Sequence, residues 1–197
     1  NFKAADGTDT RNYGGLEGLP EARELFAGVL QVQPSEVLIG GNASLTLMHT
    51  SALFAWLYGP SGAGSAWRNE ADVKFLCPVP GYDRHFAICE DLGIQMIPVA
   101  MNEHGPDMDE VERLVKADQS IKGMWCVPRF SNPSGIVYSD AVVERIAKLG
   151  KIAAPNFRVF WDNAYAVHAL HRSAPALASV MDACRKHGTE DSVLIFG

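Results

Sequence analysis

The chain has 197 residues, a formal net charge of −6 and a hydrophobic fraction of 47%. This length fits one domain with a sizeable core, and the apolar fraction is too high for a disordered chain. The acidic balance argues against a nucleic-acid partner, because phosphate binding needs clustered Lys and Arg. No apolar run reaches the roughly 18 residues of a membrane-spanning helix, so we expect no membrane partner.

Short apolar runs alternate with longer helical patterns along the chain, after an opening helix predicted at 20–30. The predicted strands are 36–39, 73–77, 95–99, 121–127, 157–161 and 193–196. The other predicted helices are 45–58, 83–92, 109–116, 140–149 and 175–187. Strands that are apolar throughout are typical of a parallel sheet that is covered on both faces. The alternation therefore predicts an α/β fold of three layers, α/β/α, with a mainly parallel central sheet.

Ligands of such sheets bind at the carboxyl ends of the strands, which directs attention to the loops that follow them. The first of these loops contains Asn42, Ala43 and Ser44 at the start of a helix. The free amides and the dipole of a helix N-terminus can hold a phosphate group. An ordinary helix cap by Asn42 or Ser44 explains the same residues equally well.

The next two loops carry an aromatic ring, a histidine and a polar turn. Tyr82 follows a strand within Pro-Val-Pro-Gly-Tyr, where its ring can stack on a planar ligand, and His85 lies three residues further on. For a lone histidine, a structural role is the default. Asn132 opens an Asn-Pro-Ser-Gly turn, and its amide can donate to a ligand oxygen. Arg129 could face an anion, although a solvated arginine is more common.

Asp162 ends an apolar strand, and Tyr165 follows three residues later. Burial of an unpaired charge is costly, so this carboxylate needs a cation, a metal ion or hydrogen bonds, unless it simply caps a helix. Tyr165 could point its hydroxyl at the same ligand. His168 and His171 lack a third ligand, so we predict no metal site.

Taken in chain order, these loops resemble the fold type I pyridoxal-phosphate enzymes of the aspartate aminotransferase class. The resemblance runs over 13–197. Asn132–Gly135 matches the family's Asn-Pro-Thr/Ser-Gly, and Asp162–Tyr165 matches its Asp-x-x-Tyr. Tyr82 with His85 resembles its aromatic-x-x-His. The segment 13–19 resembles the one whose tyrosine reaches the cofactor phosphate of the partner subunit.

The resemblance implies pyridoxal 5′-phosphate as the cofactor and the enzyme's large cofactor-binding domain as the fold. Asp162 would pair with the pyridine nitrogen, and Tyr165 would donate to the phenolic oxygen; these two are the candidate catalytic residues. The further implied cofactor contacts are Asn42, Ala43 and Ser44 on the phosphate, Tyr82 on the ring face, His85 behind Asp162, Asn132 on the phenolic oxygen, and Tyr13 across a homodimer interface. Arg129 is the candidate substrate contact.

The family binds its cofactor through a Schiff-base lysine just after the last strand predicted here, and none of the chain's seven lysines lies there. We therefore expect residues 1–197 to be a large-domain fragment, cut at both ends, without the lysine segment and the small domain, and inactive alone. Because the four cysteines lack metal or disulfide spacing, we expect a cytoplasmic protein.

The predicted reaction is ping-pong transfer of an amino group between an amino acid and a 2-oxo acid. Three alternatives stay open. The same cofactor also supports C–S β-lyase, decarboxylase and racemase reactions. An aminotransferase-like domain can serve as the effector domain of a transcription regulator. The motifs could also be accidental in an unrelated α/β nucleotide-binding protein, although four of them occur in the right order.

Overall fold

The computed structural model describes residues 2–13 and 15–197. The chain forms two compact units, Asn1–Ala43 and Ser44–Gly197.

The first unit contains the predicted opening helix, α1 (Pro20–Leu30). Proline occupies its first turn, where a missing N–H leaves no intrahelical bond unmade. Arg23 connects this helix to the chain on either side. Its Nε donates to the Pro34 carbonyl at 2.9 Å, and its Nη1 pairs with Glu17 at 2.5 Å.

The predicted strand at 36–39 is wrong. Pro34–Glu36 is a turn of 3₁₀ helix, closed by reciprocal hydrogen bonds between Gln33 and Glu36. The Ile39 amide then donates to the Glu17 carbonyl at 3.0 Å, and Leu38 is exposed. The backbone is extended there, but it meets a single carbonyl instead of a neighbouring strand.

The second unit, all of whose residues are described, is built on a sheet of six strands in the order β3-β2-β1-β4-β5-β6. The strands are β1 (Lys74–Val79), β2 (Gln95–Asn102), β3 (Gly105–Pro106), β4 (Ile121–Cys126), β5 (Arg158–Asp162) and β6 (Val193–Phe196). Neighbouring strands run parallel, except that β2 and β3 form an antiparallel pair. The five longer strands confirm the predicted ones, whereas β3 was not predicted.

Five helices accompany the sheet: α2 (Ser44–Tyr58), α3 (Asp83–Asp91), α4 (Met108–Ala117), α5 (Asp140–Ala147) and α6 (Val180–His187). Side-chain oxygens of Asp107, Ser139 and Ser179 accept amide hydrogens at the starts of α4, α5 and α6. The last helix begins later than the predicted residue 175, because Ser179 caps it. Helix α2 packs against α3, and α5 packs against α4 and α6.

The core on one face of the sheet joins α2 and α3 to alternate residues of the strands, among them Phe75, Trp125 and Phe160. Gly123 lies opposite Phe75 in the register, and a Cβ there would fall 2.3 Å from the Phe75 ring. Glycine thus allows that ring to lie against β4. All residues of β4 and β5 are buried, so both faces of the sheet are covered, as the predicted layered α/β fold requires.

The register also sets the position of the candidate site. Asp162 pairs with Phe196 and follows Phe160 by two residues, so its side chain projects from the face that α3 covers. Among the described residues, none of the helices has the length and apolar character needed to cross a bilayer.

Candidate active site

Asp162 ends β5 with a side chain that is 5% exposed. Its Oδ2 accepts a hydrogen bond from Nε2 of His85 at 2.9 Å. Its Oδ1 is buried and has no hydrogen-bond partner among the described residues. A buried carboxylate oxygen without a donor is unfavourable, so Asp162 requires one more donor than the chain supplies here. Since the side chain caps no helix, the alternative of a helix cap is wrong.

His85 is held on two sides by aromatic rings. Its imidazole stacks on the indole of Trp125, with centroids 4.6 Å apart and planes 16° from parallel. The ring of Tyr82 meets it edge-on at 5.1 Å and 84°. The Trp125 Nε1 in turn donates to the sulfur of Cys89 at 3.3 Å. The imidazole is therefore fixed in the orientation that points Nε2 at Asp162.

A cleft opens above Asp162 at the carboxyl ends of the strands. It is lined by Ser44, Leu45, Met48, Tyr82, Val127, Asn132, Asp162, Ala164 and Tyr165. Five residues predicted from the sequence thus meet in one cleft, and His85 lies behind Asp162. Leu45, Met48 and Val127 were not predicted, because they look like ordinary core residues.

Three predicted residues belong to the first unit and lie outside this cleft lining. Asn42 and Ala43 precede α2 directly in the chain. Tyr13 is 97% exposed, and its neighbour Gly14 lies outside the described residues. The phosphate contacts assigned to these residues stay predictions.

Arg129 does not line the cleft and is not freely solvated. Its Nη1 donates to the carbonyl of Ala166 at 2.7 Å, and its guanidinium lies 5.0 Å from the ring centroid of Phe130. Its Nε is buried without a hydrogen-bond partner in the described chain. Arg129 thus connects the loop after β4 to the loop after β5. Its predicted contact with substrate stays a prediction.

The four cysteines are free and buried. Burial raises the pKa values of Cys126 and Cys184. The pKa of Cys77 is raised by its contact with the Cys89 thiol and, in addition, by burial. These three thiols are therefore protonated at neutral pH and are poor nucleophiles. No group of three or more metal-ligating side chains occurs in the described part of the chain.

The arrangement favours a planar, anionic ligand. Tyr82 offers a ring face, and Asp162 offers an acceptor for a protonated ring nitrogen. Asn132 and Tyr165 offer donors, and Ser44 begins a helix of 15 residues whose N-terminus attracts negative charge.

A family model and two related sequences place the chain in the same family. The family model described as "Aspartate amino-transferase" matches residues 1–197. The chain is 47% identical over 195 residues to a protein of Mycolicibacterium smegmatis, covering 99% of this chain and 45% of the relative. It is 49% identical over 181 residues to an aspartate aminotransferase of Corynebacterium glutamicum, covering 92% of this chain and 41% of the relative. The chain thus spans less than half the length of the curated relatives it matches.

Comparison with solved structures agrees. The crystal structure of an aspartate transaminase from Corynebacterium glutamicum superposes with a TM-score of 0.92 at 46% identity. The match covers 99% of this chain and 46% of that structure. The α/β fold is therefore that of the large domain of aminotransferases, and the chain belongs to the aspartate aminotransferase family.

Proposed function

We propose that these 197 residues are the pyridoxal-phosphate-binding large domain of a longer aminotransferase. The observation that carries the proposal is the buried Oδ1 of Asp162, which has no hydrogen-bond partner in the part of the chain that the structure describes, while Oδ2 is already held by His85. Family membership over the whole chain supports it, and so does the chain's length, less than half that of its relatives.

The residues of the cleft fit the cofactor. A protonated pyridine nitrogen would supply the donor that Asp162 Oδ1 lacks. The ring of Tyr82 can stack on the pyridine, and Asn132 and Tyr165 can donate to its phenolic oxygen. Ser44 at the start of α2 can bind the phosphate with its hydroxyl and amide. Asn42 and Ala43 would complete the phosphate site, and Tyr13 would reach the phosphate of the partner subunit.

When bound, the cofactor serves as an electron sink for the loss of a proton from the substrate Cα. The role of this chain's own residues is to hold protons at defined atoms. Asp162 would keep the ring nitrogen protonated, because a positive nitrogen beside a carboxylate is strongly favoured in a buried site. His85 donates to Oδ2 and so fixes the carboxylate with Oδ1 left to accept from the ring nitrogen, which would be the missing donor. Asn132 and Tyr165, which both line the cleft, would stabilise negative charge on the phenolic oxygen.

The proposed reaction moves an amino group from an amino acid to a 2-oxo acid in two half-reactions. The proposed assembly is a homodimer, for which the 97% exposure of Tyr13 leaves that side chain available to a partner. The proposed compartment is the cytoplasm, where the four free, buried cysteines would remain reduced.

The test is the visible absorption spectrum of the full-length protein, recorded before and after addition of amino acids including aspartate. A visible band that an amino acid bleaches and a 2-oxo acid restores is the expected result. A band that shifts without this reversible exchange would refute transamination and favour a lyase, a decarboxylase or an effector domain. Absence of any band after addition of pyridoxal phosphate would refute the cofactor itself.

A further inference from the structure

Arg129 ties together the two loops that carry Asn132 and Tyr165. Its Nη1 donates to the carbonyl of Ala166 at 2.7 Å, across a sequence separation of 37 residues. Since Ala166 follows Tyr165 directly, the bond fixes the backbone one residue beyond the Cα that carries the Tyr165 side chain.

The loop after β5 is held by two overlapping turns around Tyr165. The Ala166 amide donates to the Asn163 carbonyl at 3.0 Å, and the His168 amide donates to the Tyr165 carbonyl at 3.1 Å. Neither bond connects this loop to the loop after β4. The hydrogen bond from Arg129 makes that connection.

The loop after β4, from which the Arg129 side chain extends, is held by its own hydrogen bonds. Ser131 is 4% exposed, and its amide donates to the Ile136 carbonyl at 2.8 Å. Its carbonyl accepts from the Gly135 amide at 2.5 Å. These bonds close the turn that contains Asn132, so a guanidinium anchored three residues before Asn132 is anchored to a fixed frame.

The guanidinium itself is confined. It lies against the ring of Phe130, which has a left-handed backbone with φ of 54°. A residue with a Cβ adopts this conformation only when its surroundings impose it, and such positions cluster at functional sites. The neighbouring Arg129 adds a second unfavourable feature, because its buried Nε has no hydrogen-bond partner among the described residues. These two unfavourable features are explained if the position of the Arg129 guanidinium matters for the site.

We infer that Arg129 is a positioning residue, which sets Tyr165 at a fixed distance from Asn132. The inference rests on the proposed function, because the phenolic oxygen of the cofactor is the atom that both side chains would address. In this role Arg129 acts through the backbone of Ala166, and its own side chain does not line the cleft.

The experiment compares full-length holoenzymes carrying Arg129→Gln, Arg129→Lys, Tyr165→Phe and the double change Arg129→Gln/Tyr165→Phe. The readout is the pH midpoint of the visible band, which reports the hydrogen bonds to the phenolic oxygen. Arg129→Gln should move the midpoint in the same direction as Tyr165→Phe, by at least about half as much, and should add nothing in the Tyr165→Phe background. Arg129→Lys should shift the midpoint less than Arg129→Gln does, because lysine keeps a donor for the Ala166 carbonyl.

Arg172→Gln is the matched control, because Arg172 is an exposed arginine on the loop after β5. It should leave the midpoint unchanged. An unchanged midpoint in Arg129→Gln would overturn the inference, and so would a raised KM for a dicarboxylic substrate with an unmoved midpoint, which would make Arg129 a substrate contact. Additive shifts in the double variant would also overturn it.

If Arg129→Gln does not fold, Arg129→Lys carries the same test with a smaller expected shift, and an unmoved midpoint there overturns the inference. Failure of the proposed function looks different. In that case neither the unmodified protein nor Arg172→Gln would show a visible band with pyridoxal phosphate.

Discussion

The imidazole of His85 lies flat on the indole of Trp125, 4.6 Å from centroid to centroid, while its Nε2 bonds Asp162 Oδ2 at 2.9 Å. The contact joins α3, β4 and β5 at the base of the cleft. Both rings are nearly inaccessible, at 1% and 2% exposure. One carboxylate oxygen is consequently held by a fixed donor, and the other stays available for a ligand.

Removal of the Asp162 charge should abolish most turnover without unfolding the protein. Asp162→Asn keeps the size of the side chain but no longer favours a protonated ring nitrogen. We expect kcat to fall at least about 100-fold, as for other losses of a charge-stabilising group in an active site. Steady-state kinetics of the full-length protein with an amino donor and a 2-oxo acid would measure the loss, and the visible spectrum would show whether cofactor remains bound.

Asp91→Asn is the control for this change. Asp91 is also a carboxylate paired with a histidine, because its Oδ2 lies 2.7 Å from Nε2 of His49. Its side chain, however, is 66% exposed. Its replacement should leave kcat within about twofold, because exposed ion pairs contribute little. A kcat of Asp162→Asn equal to that of the unmodified protein would contradict the role proposed for Asp162.

Trp125 should affect both stability and cofactor affinity. Trp125→Leu removes the stacking surface of His85 and the donor to Cys89, and it should lower the free energy of unfolding by about 3 kcal/mol. Trp125→Phe keeps a ring beneath the imidazole and should lower it less. Cofactor dissociation, followed by the visible band, should be faster in Trp125→Leu than in Trp125→Phe.

Trp67 separates these two effects. It is also fully buried and donates through Nε1, in its case to the Asn156 carbonyl at 2.9 Å, but its ring packs on Phe75 and Phe160. Trp67→Leu should reduce stability by a similar amount, measured by urea unfolding, and leave cofactor dissociation unchanged. Equal effects of both substitutions on dissociation would mean that Trp125 acts only through stability.

The sequence sufficed for features that rest on local pattern. Asp162 could be singled out because a charge at the end of an apolar strand is costly without a partner, but its proposed role came from the resemblance to the family's Asp-x-x-Tyr. The longer strands and the helices could be located because their apolar periods are regular. The strand predicted at 36–39 failed because an extended run becomes a strand only beside a partner, and the partner is not encoded locally. Strand β3 has two residues, too few to form a pattern.

The contacts that shape the site depend on tertiary positions. Trp125 looks like an ordinary core residue in the sequence, and only the face of β4 on which it lies brings it to His85. Arg129 looks like a surface charge, and its bond to Ala166 depends on how closely two loops approach. Neither distance follows from spacing along the chain.

Gly123 should not tolerate even one added methyl group. A Cβ at this position would lie 2.3 Å from the ring of Phe75, which is itself packed against Trp125 and Phe160 and cannot move aside. Gly123→Ala should therefore destabilise the protein by about 1–3 kcal/mol in urea unfolding. Gly64→Ala is the control, because a Cβ there would meet nothing within 4 Å. Equal stability of the two variants would show that the Phe75 ring can be repacked.

An ion pair at the amino ends of the two central strands, β1 and β4, should make stability fall in acid. Lys74 at the start of β1 lies 2.7 Å from Asp118, which precedes β4. The hydrogen bond from Lys74, with others from Ser120, lowers the pKa of the Asp118 carboxyl from 3.8 to about 2. Because the folded pKa is the lower one, the stabilisation is complete above about pH 4 and is lost as the pH falls toward 2.

The side chains of this pair are 23% and 34% exposed, so solvent screening limits their contribution to about 1 kcal/mol. Asp118→Asn retains an oxygen for Ser120 but loses the charge, and it should be less stable than the unmodified protein by about that amount at pH 6. The difference should shrink between pH 4 and pH 2 in urea unfolding. The coupling between Asp118→Asn and Lys74→Met should disappear over the same range, because it measures the pair alone. A coupling that persists unchanged at pH 2 would mean that Lys74 does not lower the pKa of Asp118.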